Sequence, residues 1–274
     1  MPWAADVQNA SARWYYGAMS ETTSQQNTVL DEVLRDAQVL VKNAAHARKK
    51  TIAVSPEVAA LLESAVPDPF ETFRAEVSQC QQCSLHETRT QTVFGTGNPR
   101  ASLVFVGEAP GEQEDLQGEP FVGRAGKLLT SIIEKGFQIP RGDVFICNVL
   151  KCRPPGNRDP NPGEREACEP YLVRQLESIK PRVICALGGH AAKILLKTDE
   201  SVGRLRGKWH FYQGIPVRVT YHPSYVLRSE HDKARHTADK KKVWEDVKAI
   251  IRVLDGDETP LPDGSASHAQ DPPG

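Results

Sequence analysis

The 274 residues contain no apolar run approaching the length of a membrane span, so a helical membrane protein is excluded. No sign of charge dominates: 34 Lys and Arg face 35 Asp and Glu. Global charge therefore announces no polyanionic partner, and any nucleic-acid contact must come from a local patch. The start, Met-Pro-Trp-Ala-Ala-Asp, has no basic region and no apolar region behind it, so no secretory signal is expected. A cytoplasmic location follows, nucleoid-associated in a prokaryote, where six Cys are not expected to form disulfides. A Gly-rich loop is present, but it lacks the Lys-Ser/Thr ending of a P-loop. What remains, with 39% hydrophobic residues and a mean hydropathy of -0.45, reads as a medium α/β domain with extensions.

Residues 104–127 are the organising stretch. Leu103 to Val106 are apolar and read as a buried strand, Gly107, Pro110 and Gly111 turn the backbone, and helical spacing resumes from Arg124 to Glu134. A strand, a Gly-rich loop and a helix can hold a ligand with backbone N–H groups. The loop carries Glu108, Glu112, Glu114 and Asp115, which is wrong for phosphates, and with Phe121 it suits a small polar planar ring. An ordinary strand–helix turn is the plainer reading of the same residues.

Before this core, residues 1–65 read as an appendage. A polar stretch runs to Asn27, and Val29-Leu30, Val33-Leu34, Val39-Leu40-Val41 and Ala44-Ala45 then recur at helical spacing. A solvated arm, or one that binds an unknown protein, is expected there. Four apolar strands are placed at 102–106, 143–147, 182–187 and 216–220, with helices at 126–135, 162–179, 188–196 and 239–254. This alternation implies a parallel sheet with helices on both faces, and ligands at the carboxyl ends of its strands. Glu108, Asn148, Gly188 and His222 all fall just past those ends. The tail, 255–274, is rich in Pro, Gly, Asp and Ser and is expected to be disordered.

Cys80 and Cys83 form a C-x-x-C pair, Cys152 follows the second strand, and Cys168 lies in the next helix. Four thiolates at these positions suit zinc or an iron–sulfur cluster, and spacing alone does not separate the two. Cys147 and Cys185 sit in apolar strands and read as buried small hydrophobes. At the last strand's end, His222 precedes Pro223, where an imidazole can stabilise an anion forming on a ring oxygen. Ser224 and Arg228 suit phosphates, and Leu227 suits insertion into a base stack. Lys233, Arg235, Lys240, Lys241 and Lys242 extend the basic run.

Four segments carry a resemblance: Gly107-Glu-Ala-Pro-Gly111, Gly118-Glu-Pro-Phe-Val-Gly-Arg-Ala-Gly126, Asn148-Val-Leu-Lys-Cys-Arg-Pro-Pro155 and His222-Pro-Ser-Tyr-Val-Leu-Arg228. Together with the cysteine placement, they resemble the family-4 uracil-DNA glycosylases, the iron–sulfur type of bacteria and archaea, over residues 70–254. The resemblance implies an αβα sandwich with a four-stranded parallel sheet, and a monofunctional enzyme that removes uracil from DNA. It implies that Cys80, Cys83, Cys152 and Cys168 hold a [4Fe–4S] cluster. Gly107, Glu108 and Ala109 would line the uracil pocket, Phe121 would stack on the base, Asn148 would read its polar edge and His222 would face its O2. The catalytic set would be Glu108, Asn148 and His222, with either Glu108 or Glu114 placing the water. Pro223, Ser224, Leu227 and Arg228 would meet the DNA, and a monomer is expected.

Two departures stand out. Residues 1–65 have no counterpart in the minimal family pattern, and residues 229–242 read as an insertion. A related group that bonds covalently to DNA has Gln where this chain has Ala109 and carries a basic Lys-Arg-Arg-Ile-His insertion. This chain lacks both, so turnover is expected. The rival readings are a non-catalytic iron–sulfur nucleic-acid-binding module and a zinc-stabilised hydrolase of a small nucleobase substrate.

Overall fold

The computed structural model describes residues 68–261, 264 and 266–268. The arm expected over residues 1–65 lies outside the described residues, as do positions 262, 263, 265 and 269–274 of the tail.

The described chain opens with helix α1, Pro69–Ser78, which buries Phe70, Phe73 and Val77 along one helical face. Strand β1, Thr96–Gly97, and strand β2, Leu103–Gly107, follow. Helix α2, Glu112–Gln117, and helix α3, Arg124–Ser131, come next, and α3 runs on into a wider turn over Ile132–Phe137. Strand β3 is Phe145–Asn148 and helix α4 is Pro162–Ile179. Strand β4, Val183–Leu187, feeds helix α5, Gly189–Leu196, and a short helix α6, Val202–Leu205. Strands β5, Trp209–Tyr212, and β6, Ile215–Thr220, lead to helices α7, Pro223–Arg228, and α8, Lys233–Asp255.

The sheet has six strands in the order β1-β3-β2-β4-β6-β5. The four expected parallel strands are its centre, with Gly107 beside Asn148, Val106 beside Ala186 and Leu187 beside Thr220. The expectation of a four-stranded, wholly parallel sheet is corrected by the antiparallel edges. At one edge β1 pairs with β3, and at the other β5 joins β6 through Gln213 and Gly214, whose φ values of 49° and 82° suit a tight hairpin turn.

Alternation along the strands sends side chains to two cores. Val104, Val106, Phe145, Ile184 and Val217 pack under α1, α4 and α5 through Phe73, Leu172 and Ala192. Leu103, Phe105, Ile146 and Val183 pack under α3 and α8 through Leu129, Val247 and Ile250. The result is the expected αβα sandwich. Cys147 faces the first core and Cys185 the second, both fully buried, so they are packing residues.

Two further expectations change. The closing helix, expected over 239–254, begins earlier and takes in most of the 229–242 stretch: Asp232 accepts from the N–H groups of Ala234 and Arg235 at 3.1 Å and starts α8 at Lys233. Nor is the tail disordered throughout, since β7, Glu258–Pro260, pairs antiparallel with β8, Ala266–His268. The buried Glu258 carboxylate holds this hairpin to the body, accepting from Trp209 Nε1 at 2.8 Å and from Arg252 Nε at 2.5 Å.

Candidate functional site

Register brings the site to one rim. Because Gly107 and Asn148 are paired neighbours, and Leu187 and Thr220 end level, Glu108, Asn148, Gly188 and His222 gather past the same sheet edge. Gly107 is required by close approach: a Cβ there would lie 2.2 Å from Asn148 Oδ1 and 2.7 Å from Phe121 Cζ. Its bare backbone thus forms a floor on which the Asn148 amide and the Phe121 ring both rest.

Phe121 adopts a φ of 56°, a conformation that costs a bulky side chain energy and persists only when its surroundings impose it. Two residues impose it. On one side, Arg141 donates from Nη2 to the carbonyls of Pro120 and Phe121 at 2.8 and 3.2 Å. On the other, Glu114 accepts from the N–H groups of Val122 and Gly123 at 2.9 and 3.0 Å, and from Gly111 at 3.1 Å. Both Glu114 oxygens are therefore engaged by backbone, which leaves Glu108 as the carboxylate open to a ligand. Neither bracing role was legible in the sequence.

Asn148 is 2% exposed, and its Oδ1 has no hydrogen-bond partner among the described residues. A buried acceptor without a partner is unfavourable, so this one is shaped to receive a donor from outside. Glu108 is partly exposed. Burial pushes its carboxyl above the ordinary value, while His190 pulls it down and Asp159 adds to the rise. His190 Nδ1 lies 3.3 Å from Glu108 Oε1. His190 and Asp159 went unnoticed in the sequence, where a His after two glycines reads as a helix start.

His222 caps α7. Its Nδ1 accepts from the Ser224 N–H at 3.1 Å and lies 2.7 Å from Ser224 Oγ. Part of the residue meets solvent, but burial of the ring, aided by Arg228, pulls its pKa down to about 4. The ring centre lies 5.6 Å from that of Phe121. Gly188, at φ 89°, makes room for it, since a Cβ there would come within 2.9 Å of His222 Cβ. Residues 223–228, expected as a loop, form α7: Pro223 is buried, Ser224 and Leu227 are partly buried and Arg228 is exposed. Ala109 is partly buried against the first core.

The four cysteines converge away from this rim. Cys80, Cys83, Cys152 and Cys168 line one small pocket with Arg89, Lys151 and Tyr171. Two of the sulfurs already receive bonds: Arg89 Nη1 donates to Cys152 at 3.3 Å and the Lys151 N–H to Cys168 at 3.2 Å. Burial pushes the Cys168 thiol up to about 12 and raises that of Cys152, so a positive partner is needed to hold these two as thiolates. Among the described residues, only Glu108, Asp159 and His190 bring three metal-binding atoms within 4.8 Å of one another.

Comparison with known proteins meets this geometry. Residues 94–248 match the family model of the uracil DNA glycosylase superfamily. The chain is 45% identical over 196 residues to the type-4 uracil-DNA glycosylase of Saccharolobus solfataricus, covering 69% of this chain and 91% of that protein. It is 47% identical over 178 residues to the enzyme of that name from Archaeoglobus fulgidus, covering 62% and 89%, and 46% identical over 186 residues to that of Sulfurisphaera tokodaii, covering 65% and 84%. With a sheet, a rim and four placed cysteines that agree with so extended a match, the chain belongs to the uracil DNA glycosylase superfamily and, within it, to the type-4 uracil-DNA glycosylases.

Proposed function

We propose that this chain takes uracil out of the DNA stack and hydrolyses its N-glycosidic bond, leaving an abasic site for base excision repair. The observation that carries the reading is the buried, unpartnered Asn148 Oδ1 beside the Phe121 ring. A base on Phe121 presents its polar edge to Asn148, whose Oδ1 accepts the uracil N3–H while its amide N–H donates to O4. Cytosine offers the reverse pattern and is refused.

The Glu108 carboxylate, with its raised pKa, accepts a proton from water as the oxygen bonds to the sugar C1′. The C1′–N1 electron pair leaves with the base. The resulting uracil anion is met at O2 by the Nε2–H of a neutral His222. Glu114 and Arg141 hold the Phe121 loop rigid around this chemistry. DNA meets Pro223, Ser224, Leu227 and Arg228, with Leu227 filling the vacated space.

Four cysteines gathered in one pocket, with N–H donors aimed at the sulfurs of Cys152 and Cys168, support a [4Fe–4S] cluster held by Cys80, Cys83, Cys152 and Cys168. Cys80 and Cys83 after α1, Cys152 past β3 and Cys168 on α4 would hold the cluster, which would supply a structural crosslink between these segments. Residues 1–65 and the last residues of the tail carry no part of the site, and the chain acts as a monomer.

The deciding experiment is cleavage of a uracil-containing oligonucleotide after abasic-site strand scission. Strand breaks at uracil and none at cytosine are expected. Tight DNA binding without excision would establish the non-catalytic module instead.

A further inference from the structure

Lys151 is the only buried lysine among the described residues, at 1% exposure. Its ammonium donates at 2.6 Å to the main-chain carbonyl of Asn148 and at 2.6 Å to Gln175 Oε1. Gln175 is itself fully buried and donates from Nε2 to the Phe94 carbonyl at 2.8 Å. An interior ammonium is costly, and an unbranched apolar side chain would fill the space without that cost. Its retention calls for a role that a hydrogen-bonding cation performs. The Cys168 sulfur takes its bond from the Lys151 main-chain N–H, which any residue but proline provides; the ammonium also acts electrostatically on Cys147, Cys152 and Cys168, but it directs its hydrogen bonds at Asn148 and Gln175.

We propose that Lys151 is a positioning residue for base recognition: its ammonium fixes the peptide of Asn148 and so aims the amide that reads uracil. The inference rests on the assignment of Asn148 as the base reader. Strand β3 ends at Asn148, and past it the N–H groups of Val149 and Leu150 still donate to the carbonyls of Gly107 and Glu108 at 3.0 Å. The lysine adds to these a bond to the Asn148 carbonyl itself, anchored across the core through Gln175 on α4 to the segment before β1.

The test is Lys151→Met in the full chain, which keeps the side-chain length and removes the cation. Three quantities are read: excision rate, affinity for DNA carrying a non-hydrolysable uracil nucleotide, and iron per chain. Expected are a loss of roughly 10- to 100-fold in uracil affinity and excision efficiency, as follows from an aim lost by a fraction of an ångström to an ångström, and unchanged iron. In an Asn148→Ala background, Lys151→Met should cost nothing further, because the two act as a unit. Unchanged excision, losses that add in the double variant, or parallel loss of iron would each overturn the proposal. If Lys151→Met does not fold, Gln175→Met removes the second anchor and should give a smaller loss of the same kind; a folded Gln175→Met with full uracil affinity counts against it. Should Asn148→Ala alone excise uracil at the unmutated rate, the base-reading assignment fails first and this inference with it.

Discussion

The main-chain N–H of Ser224 donates to Nδ1 of His222 over 3.1 Å. An N–H can only donate, so Nδ1 is an acceptor and the proton of the neutral ring sits on Nε2. With a pKa near 4 the ring stays neutral at physiological pH. His222 therefore offers one fixed, uncharged N–H, aimed by the same turn that starts α7.

His222→Ala should lower single-turnover excision by about 10²- to 10³-fold, the usual effect of losing one donor to a developing anion. Binding of uracil-containing DNA should weaken far less. An unmutated rate would make His222 a capping residue and no more. The low pKa also bears on stability. The unfolded state takes up the proton near pH 6.5 and the folded state only near 4, so His222 costs the fold stability as pH falls through that window. His222→Ala should flatten the acid side of a Tm-versus-pH curve between those values.

Glu108 has the opposite linkage. Its folded pKa is raised, so ionising it costs stability as pH climbs from its ordinary 4.5 through the folded value. Glu108→Gln should abolish most excision yet melt at a higher temperature than the parent at pH 8. The acid limb of kcat should follow the Glu108 carboxyl, with no limb near 6.5 from His222. His190→Ala should move that limb upward, because His190 holds the carboxyl down. An unmoved limb in that variant would show the 3.3 Å contact to be inert.

Asn148→Asp exchanges the amide donor for a carboxylate oxygen facing uracil O4. Excision of uracil should fall by several orders of magnitude, since a site built on hydrogen bonds rejects a mismatched partner strongly. A trace of cytosine excision is expected where the carboxyl is protonated. Equal uracil rates for the two proteins would remove Asn148 from the pocket.

The purified protein should be brown, with about four irons per chain. Cys168→Ser should bleach it and lower the melting temperature, while the described fold away from α4 and α1 persists by circular dichroism. Colourless protein with one zinc would overturn the cluster.

DNA affinity should fall steeply with salt although the net charge is -1. Lys233, Lys240 and Lys241 are exposed on the N-terminal half of α8, the helix that follows Arg228 in the chain. Each phosphate they neutralise adds a slope of about -0.9 to log affinity against log salt on duplex DNA. Arg235 should contribute less, being drawn to Tyr225 and Asp239. A flat salt profile would place the DNA elsewhere.

Much of this molecule was readable from residue order because its signals are local. Apolar runs marked the four central strands to within one or two residues, helix α4 was placed at its observed bounds, and strand-end positions foretold that Glu108, Asn148 and His222 would share a rim. What escaped notice depends on partners distant in the chain. Strand β1 has two residues and no periodicity, and β5 turns into β6 through Gln-Gly, a weaker hairpin signal than Asn-Gly. The tail hairpin depends on Glu258 reaching Trp209, 49 positions away. Likewise no pattern distinguishes Glu114 from Glu108: both are acids in one loop. Only the folded backbone, by directing three N–H groups at Glu114 and a histidine from past β4 at Glu108, makes one a brace and leaves the other without backbone donors of that kind.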